Sequence, residues 1–507
     1  MTPELEQPES GGRPAVASGS LVRAVSWMGA GHIAAQLSVF GSIIVLAALV
    51  PPSAFGTVAA GTVMVNVAIL LMDAGTRGRI ITSDALSRDE ITRSVAANVA
   101  VALVVAVAAA LLAGPIVSTF ADGGDPQVLR ALFLSIVPYA FAIVPLALLQ
   151  KELSFKQHAG VTAGAGFLAA ALGLLAGLLG ADVWALVLRQ VLSTVFLAAF
   201  AWVAARRLIA RFRPGKRQRE SGRGVGRLLR GPAIWFFLVA AAHFVAFNVD
   251  TLIVGALGDA ESVGLYALAF MIAFAPLVQV SWQVGKVLFP AAAAESDPRV
   301  VERRTASAMR FMALGLLPLL PPAIALAPVV FPGVLGDEWE DMVLPFQLLV
   351  VAGVGHAIVN CIGESLSGAG HIAFLAKVNV VWVGALLVAV AVLVEIDGLT
   401  GAALAHLVLF VPFTLAYVVG GGRLLGLGAR QLGAALTPVA GPVTAQAVVT
   451  VAVAVLLPEV GASADAGAVV ATAAGACVLA AILLVRRDGP LREVSGLVAA
   501  ARRGEAA

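Results

Sequence analysis

From Ala24 to Met72 the chain carries no Asp, Glu, Lys or Arg, and the one sharp break in that run is Pro51-Pro52. Each side of the break leaves an apolar segment of about the 20 residues a helix needs to cross a bilayer. Such segments recur to the C-terminus. Of 507 residues, 60% are hydrophobic and only 12% charged, where soluble domains average roughly a quarter charged. The chain therefore reads as a membrane protein. Strand alternation is absent, and hydrocarbon offers backbone groups no partner outside a helix or a closed barrel. The expectation is an all-α polytopic membrane protein.

About fourteen spans are predicted: 26-48, 54-73, 94-118, 130-150, 158-180, 183-206, 231-257, 262-289, 305-328, 342-366, 372-394, 398-420, 432-457 and 465-485. Residues 1-25, with Glu4, Glu6 and Glu9 among Gly, Pro and Ser, read as a disordered tail, and no removable signal peptide is expected. Alternate connections collect bases: Arg77, Arg79, Arg88 and Arg93; Lys151 and Lys156; 206-230; Arg299, Arg303 and Arg304; Lys377; Arg423 and Arg430; and the 486-503 tail. Intervening loops hold acids instead, at Asp122 and Asp125, Asp182, Asp259 and Glu261, "GDEWED" (336-341), Glu395 and Asp397, and Glu459 and Asp465. Arg130 is the main dissenter. Cytoplasmic loops retain positive charge, so both termini are placed in the cytoplasm. The wealth of Arg, Ala, Gly and Val fits a GC-rich bacterium, and hence a bacterial cytoplasmic membrane. Cys361 and Cys477 both fall within spans, so neither a disulfide framework nor a metal cluster is implied.

The longest connection, 207-230, is strongly basic and separates six spans (26-206) from six more (231-421), leaving an added pair (432-486) and a tail (487-507). "LVPPSAFGTVAAGTVMV" (49-65) resembles "LGDAESVGLYALAFMIA" (257-273): each is a short outer turn followed by a small-residue helix, with Gly56 and Gly264 at matching places. An internal repeat in one orientation follows, as in transporters whose two parallel halves rock about a central site.

Polar side chains are costly in lipid and tend to face a protein interior or a wet cavity. Helical spacing groups them into stripes: His32 and Gln36; Thr62, Asn66 and Asp73; His243, Phe247 and Asp250; Gln279, Gln283 and Lys286; and His356, Asn360 and Glu364. Four of the five occupy the first two helices of each six-span block, where a cavity between halves would be lined. The plainer reading for His32, Gln36, Asn66 and His356 is interhelical hydrogen bonding. For Lys286 and Arg310 it is snorkelling to headgroups, and for Asp73 a partner in the basic loop at Arg77. Arg189 has no short path to a headgroup. Asp250 and Glu364 are the costliest to bury unpaired. No metal-ligand spacing, phosphate loop or Ser/His/Asp set is present, the outer loops are short, and no nucleotide-binding module accompanies the spans. Nothing calls for nucleic acid.

Together, "SAFGTVA" opening span two, "QKELSFKQHA" (150-159), "WALVLRQ" (184-190), "NVDTLIVGALGDAESVGLYALAFMIAFAPLVQVSWQVGKVLFPA" (248-291) and "PFQLLVVAGVGHAIVNCIGESLSGAGH" (345-371) carry a likeness. The chain resembles the polysaccharide biosynthesis/export proteins, O-antigen type flippases of the multidrug/oligosaccharidyl-lipid/polysaccharide exporter superfamily. The resemblance implies two six-helix lobes with two accessory helices, a V-shaped central cavity, and alternating access driven by an ion gradient, H+ or Na+, with no other cofactor. It implies a polyprenyl-pyrophosphate oligosaccharide turned to the outer leaflet, with glycosyltransferases or a polysaccharide polymerase as partners. Lipid II flippases place several arginines in the cavity, and span one has none beyond Arg23. Relatives often carry a base after the span-seven glycine, whereas Gly255 is followed by Ala256, so that position gives no pyrophosphate contact.

The leading expectation is a flippase with Arg189, Lys286 and Arg310 as phosphate-binding cations. Asp250 is its coupling acid, and His243 shares the titration. His243, Glu364 and Asp73 complete the ion-coupling candidates, and Gln279, Gln283, Gln36, His32 and Asn66 complete the substrate-binding set. The rivals are a drug or organic-cation antiporter on the same scaffold and a non-transporting scaffold that recruits cell-wall synthases through its basic loop.

Overall fold

The computed structural model describes residues 40-82, 86-152, 154-212, 233-427, 429-459 and 463-485. They form α1 (40-47), α2 (Pro52–Thr82), α3 (Arg88–Phe120), α4 (Pro126–Phe133), α5 (Ile136–Lys151), α6 (Phe155–Leu178), α7 (Val183–Arg211), α8 (Ala233–Ala246) and α9 (Val249–Leu257). After these come α10 (Ala260–Ala273), α11 (Ala275–Ala293), α12 (Pro298–Leu316), α13 (Leu320–Leu335), α14 (Val343–Gly368), α15 (Ile372–Leu415), α16 (Gly422–Leu425), α17 (Ala429–Glu459) and α18 (Ala464–Val485).

Among the described residues twelve segments are long and apolar enough to cross a membrane, against the fourteen expected. Two of the expected spans account for the difference. Span one (26-48) is described only from residue 40, and His32 and Gln36 lie outside the described residues. The expected pair 372-394 and 398-420 falls within one segment, Ile372–Leu425, of 54 residues. Straight, it would run about 80 Å at 1.5 Å per residue, more than twice the roughly 30 Å hydrocarbon core. It is not straight: Asp397 and Gly398 leave helical geometry, Gly398 with φ of +54°. Gly401 then packs against the carbonyl of Leu393, where a Cβ would collide with that oxygen. Residues eight apart in one helix are about 12 Å apart along its axis, so the chain doubles back here.

The helices pack small side in and large side out. α3 buries Ser94, Asn98, Ala102, Ala106, Ala109, Ala113 and Val117, three or four residues apart. Its opposite face exposes Val104, Val107 and Leu111, the last 77% exposed. This suits a lipid solvent, in which exposed Leu costs nothing and close helix approach rewards small residues. Its start is fixed by a capping box, in which Ser87 accepts from the Glu90 amide and Glu90 accepts from the Ser87 amide.

The helices before residue 212 meet those after 233 chiefly through α2 and α3 against α9 and α10. The contact lies at the ends adjoining acidic loops. A Cβ at Gly56 would collide with the Ala260 carbonyl, and one at Gly264 with the Pro52 carbonyl, with the backbone of the other glycine also in the way. Pro52 stands to Gly56 as Ala260 does to Gly264, and both pairs are displaced by 208 residues. The contact set therefore maps onto itself when the two segments are exchanged, as across a two-fold axis. Beside this crossing, the Ala260 amide donates to the Asp122 carbonyl at 3.0 Å, and Gly255 leaves room for the Phe120 carbonyl. The edge of Phe55 meets fully buried Trp339, centroids 5.8 Å apart. Asp259 caps α10 by accepting from the Ser262 amide, and that bond holds its carboxyl below the ordinary range.

Candidate functional site

Asp250 is 2% exposed, one turn from the helix break that separates α8 from α9. The break falls at Phe247-Asn248, where Asn248 turns its side-chain amide back to the Phe244 carbonyl at 2.8 Å. Helical spacing therefore does not carry His243 and Asp250 along one stripe as the sequence suggested, because the phase resets between them. His243 instead meets Trp282 edge-on at 6.3 Å.

The carboxylate of Asp250 is fully engaged. Its Oδ1 accepts from the Thr251 amide at 2.8 Å. Its Oδ2 accepts from the Tyr266 hydroxyl at 2.7 Å and lies 3.1 Å from His406 Nε2. Tyr266 and His406 are themselves 0% and 1% exposed. Three elements, α9, α10 and the second arm of α15, thus converge on one acid. Neither partner was singled out from sequence. Tyr266 sits in "GLYALAF", and His406 is the lone polar group of "AALAHLVLF"; its polarity within a span is as legible as that of His356, but nothing local pairs residues 156 positions apart.

A column of rings continues from this acid. Phe270 and Phe274 lie 5.6 and 5.3 Å from His406, and Phe274 lies 5.5 Å from His356. Trp382, Phe410 and Phe413 surround His356 on its other sides. Tyr417 stacks on Phe413 and accepts from the Asn379 side-chain amide at 2.9 Å. Both ring nitrogens of His356, and Nδ1 of His406, are buried with no hydrogen-bond partner. Aromatic packing, and not interhelical hydrogen bonding, therefore holds His356.

The remaining candidates sit apart from this cluster. Glu364 is half-buried on α14 and presses its carboxyl onto α11 at Gly285, where a Cβ would stand 2.5 Å from Cδ. One turn away, Asn360 donates to the Ser281 hydroxyl at 2.9 Å. Lys286 is exposed and donates to Gln283 at 2.9 Å. Gln279 and Arg310 are half-buried, and each has an interaction partner. Arg189 lies on α7 over Gly173, its Nε buried without a hydrogen-bond partner. Asn66 is half-buried on α2; Asp73 is on the same helix, its side chain outside the described residues. The described cavities lie elsewhere. One, of about 430 Å³, sits between α6 and α7 beside Gln157, Phe200, Arg206 and Arg207. Another, of about 320 Å³, is apolar and lies between Ile44, Ile272 and α13.

Residues 45–344, more than half of the chain, match the model of the polysaccharide biosynthesis protein family. The chain belongs to that family. It is 26% identical over 399 residues to the lipopolysaccharide biosynthesis protein WzxC of Escherichia coli K12, covering 76% of this chain and 78% of the relative. Its fold is that of the lipid II flippase MurJ in an inward closed conformation, with a TM-score of 0.66 over 91% of this chain and 99% of that one at 10% identity. An inward-facing multidrug resistance MATE transporter of the MOP superfamily matches with a TM-score of 0.51, covering 83% and 96% at 16% identity. The polysaccharide biosynthesis family and the transporter fold thus coincide in one chain.

Proposed function

We propose that this member of the polysaccharide biosynthesis protein family is an alternating-access flippase. It moves a polyprenyl-pyrophosphate-linked oligosaccharide from the cytoplasmic to the outer leaflet of a bacterial cell membrane. It works as two six-helix lobes, 26-206 and 231-421, joined by the basic linker 207-230 and flanked by accessory helices in 432-486. The chain crosses fourteen times and keeps both termini in the cytoplasm.

Family membership supports the substrate class. One structural observation carries the cycle: the self-complementary crossing of α2 and α10 at Gly56 and Gly264. It joins the first half to the second at the ends beside the acidic loops, which the charge pattern assigns to the outer face. Parting that crossing and closing the opposite ends is the motion that two parallel repeats permit. The sugar head occupies the space between lobes while the prenyl tail stays in lipid. Arg189, Lys286 and Arg310 are the cations for the pyrophosphate, with Gln279, Gln283, Gln36, His32 and Asn66 as sugar contacts. Asp250 is the acid through which an ion gradient enters, supported by its complete burial at the junction of α9 and α10, the two elements that also form the outer contact.

The test is complementation of a host strain lacking its own exporter, read as surface polysaccharide, beside leaflet accessibility of a lipid-linked oligosaccharide in vesicles. Export restored by the wild type and reduced by Asp250→Asn at equal membrane abundance is the expected result. Surface polysaccharide unaffected by deletion, with efflux of a fluorescent organic cation instead, would replace this reading with the antiporter.

A further inference from the structure

Asp250 is not a lone carboxylate waiting for a metal ion. The Thr251 amide and the Tyr266 hydroxyl donate to its oxygens, and His406 Nε2, 3.1 Å away, donates in the tautomer that pairs with an ionised Asp250. Sodium, a hard cation, takes a shell of oxygen ligands, as calcium and magnesium do. At Oδ2 it would meet two hydrogens. Among the described residues no group of three His, Cys, Asp or Glu side chains gathers to hold a metal. The neighbour that can change its charge is His406.

With Nε2 donating to Asp250, His406 keeps Nδ1 buried without a hydrogen-bond partner. A buried polar atom without a hydrogen bond is uncommon and calls for a reason. Here the free lone pair is a vacant proton acceptor. The groups facing the pair can be named. Tyr266 comes from α10; His356 and His243, from α14 and α8, lie within electrostatic reach of each other, and His356 of His406. α3 meets α9 through the backbone, at the Phe120 carbonyl. None of these is a second carboxylate.

We propose that the Asp250–His406 pair is the proton site of the transport cycle and that the coupled ion is H+ and not Na+; this rests on the transporter reading above. A proton from hydronium forms one N–H or O–H bond as its own O–H bond breaks to leave water, and the pair passes from a net charge of −1 to neutral. A net charge is expensive to bury and a compensated pair far less so. The loaded pair therefore favours α9, α10 and α15 packed as seen, with the α2–α10 crossing shut. Losing the proton favours admitting water between them, which loosens the same crossing. A proton taken from the outer side would thus close that side and leave toward the cytoplasm, the direction an exporter running on inward proton flow needs.

The experiment uses the full chain in lipid nanodiscs. Melting temperature is followed from pH 5 to 9 in sodium chloride and, at equal ionic strength, in choline chloride. The wild type is expected to gain stability as pH falls, through a one-proton transition identical in both salts. Asp250→Asn should flatten that transition; His406→Gln, which leaves Asp250 as the only acceptor, should move it to lower pH; and the double variant should match Asp250→Asn. Tyr266→Phe should keep the transition and move its midpoint. A purely structural pair would lower the melting temperature at every pH and leave the shape unchanged, which overturns the proposal. So does a sodium-specific rise in the wild type that Asp250→Asn abolishes. Should Asp250→Asn fail to fold, His406→Gln decides: glutamine still donates to Asp250 but removes one of the two acceptors, and an unmoved midpoint overturns the pair. An intact proton transition in a chain that exports nothing would refute the transporter reading and leave the proton site standing.

Discussion

Adding one methyl group at Gly264 should open the outer face. In the structure that Cβ would overlap the Pro52 carbonyl, which belongs to the opposite helix backbone and has no rotamer to escape into. Overpacking of this kind costs about 1–3 kcal/mol. At 1.4 kcal/mol per tenfold that is a shift of about 5- to 150-fold away from the closed crossing. Alanine also stabilises a helix relative to glycine by about 1 kcal/mol, but equally in both states, so melting temperature is the wrong readout. Distance is the right one. Spin labels at exposed Gln127 and Glu261 report across the crossing, introduced after exposed Cys477 is replaced by Ser; Cys361 is buried and can remain. Gly264→Ala should add or enlarge a long-distance population between the labels, and Gly56→Ala should do the same, since the contact is self-complementary. Gly114→Ala, where a Cβ meets nothing, should change nothing. Unaltered distances in both gate variants would refute the idea that this crossing is what shuts.

Further expectations concern single groups. Asp259→Ala removes the cap of α10 and should cost about 1 kcal/mol. Because its folded carboxyl titrates below the ordinary range, its contribution is present above the unfolded value and fades as pH falls through the folded one, which thermal melts of wild type and variant at acidic pH will show. Gly285→Ala drives a methyl against Glu364 and should displace that carboxyl, measured as lower export with unchanged membrane abundance if Glu364 serves transport. Tyr417→Phe removes one of the two acceptors of the buried Asn379 amide, which keeps its bond to the Leu375 carbonyl, and should cost about 0.5–1.5 kcal/mol, checked by thermal melts. It should leave the pH transition assigned to Asp250 and His406 intact.

Much of the candidate site was visible as chemistry and invisible as geometry. Asp250 announces itself because an acid in an apolar run is expensive wherever it points. Its partners do not, since tyrosine and histidine in spans are common enough to pass as packing. The stripe through His243 and Asp250 failed for a local reason: periodicity assumes an unbroken helix, and Asn248 interrupts it. Glu364 and Asn360, one turn apart on an unbroken helix, do share a side-chain hydrogen bond beside Ser281 and Gly285, whereas His356 on the same helix sits among rings.

Apolar length and sparse charge were enough to dictate an all-helical membrane chain, because hydrocarbon leaves the backbone no other way to satisfy itself. The order of basic and acidic loops gave an orientation, and a short Gly-bearing echo at an interval of 208 residues hinted at the repeat. Which atoms then touch was decided only in three dimensions. That the two glycines of the echo face each other and that His406 reaches Asp250 across 156 residues both depend on long-range packing. Contact between helices depends on their relative rotation and height, which the hydropathy of one segment cannot encode.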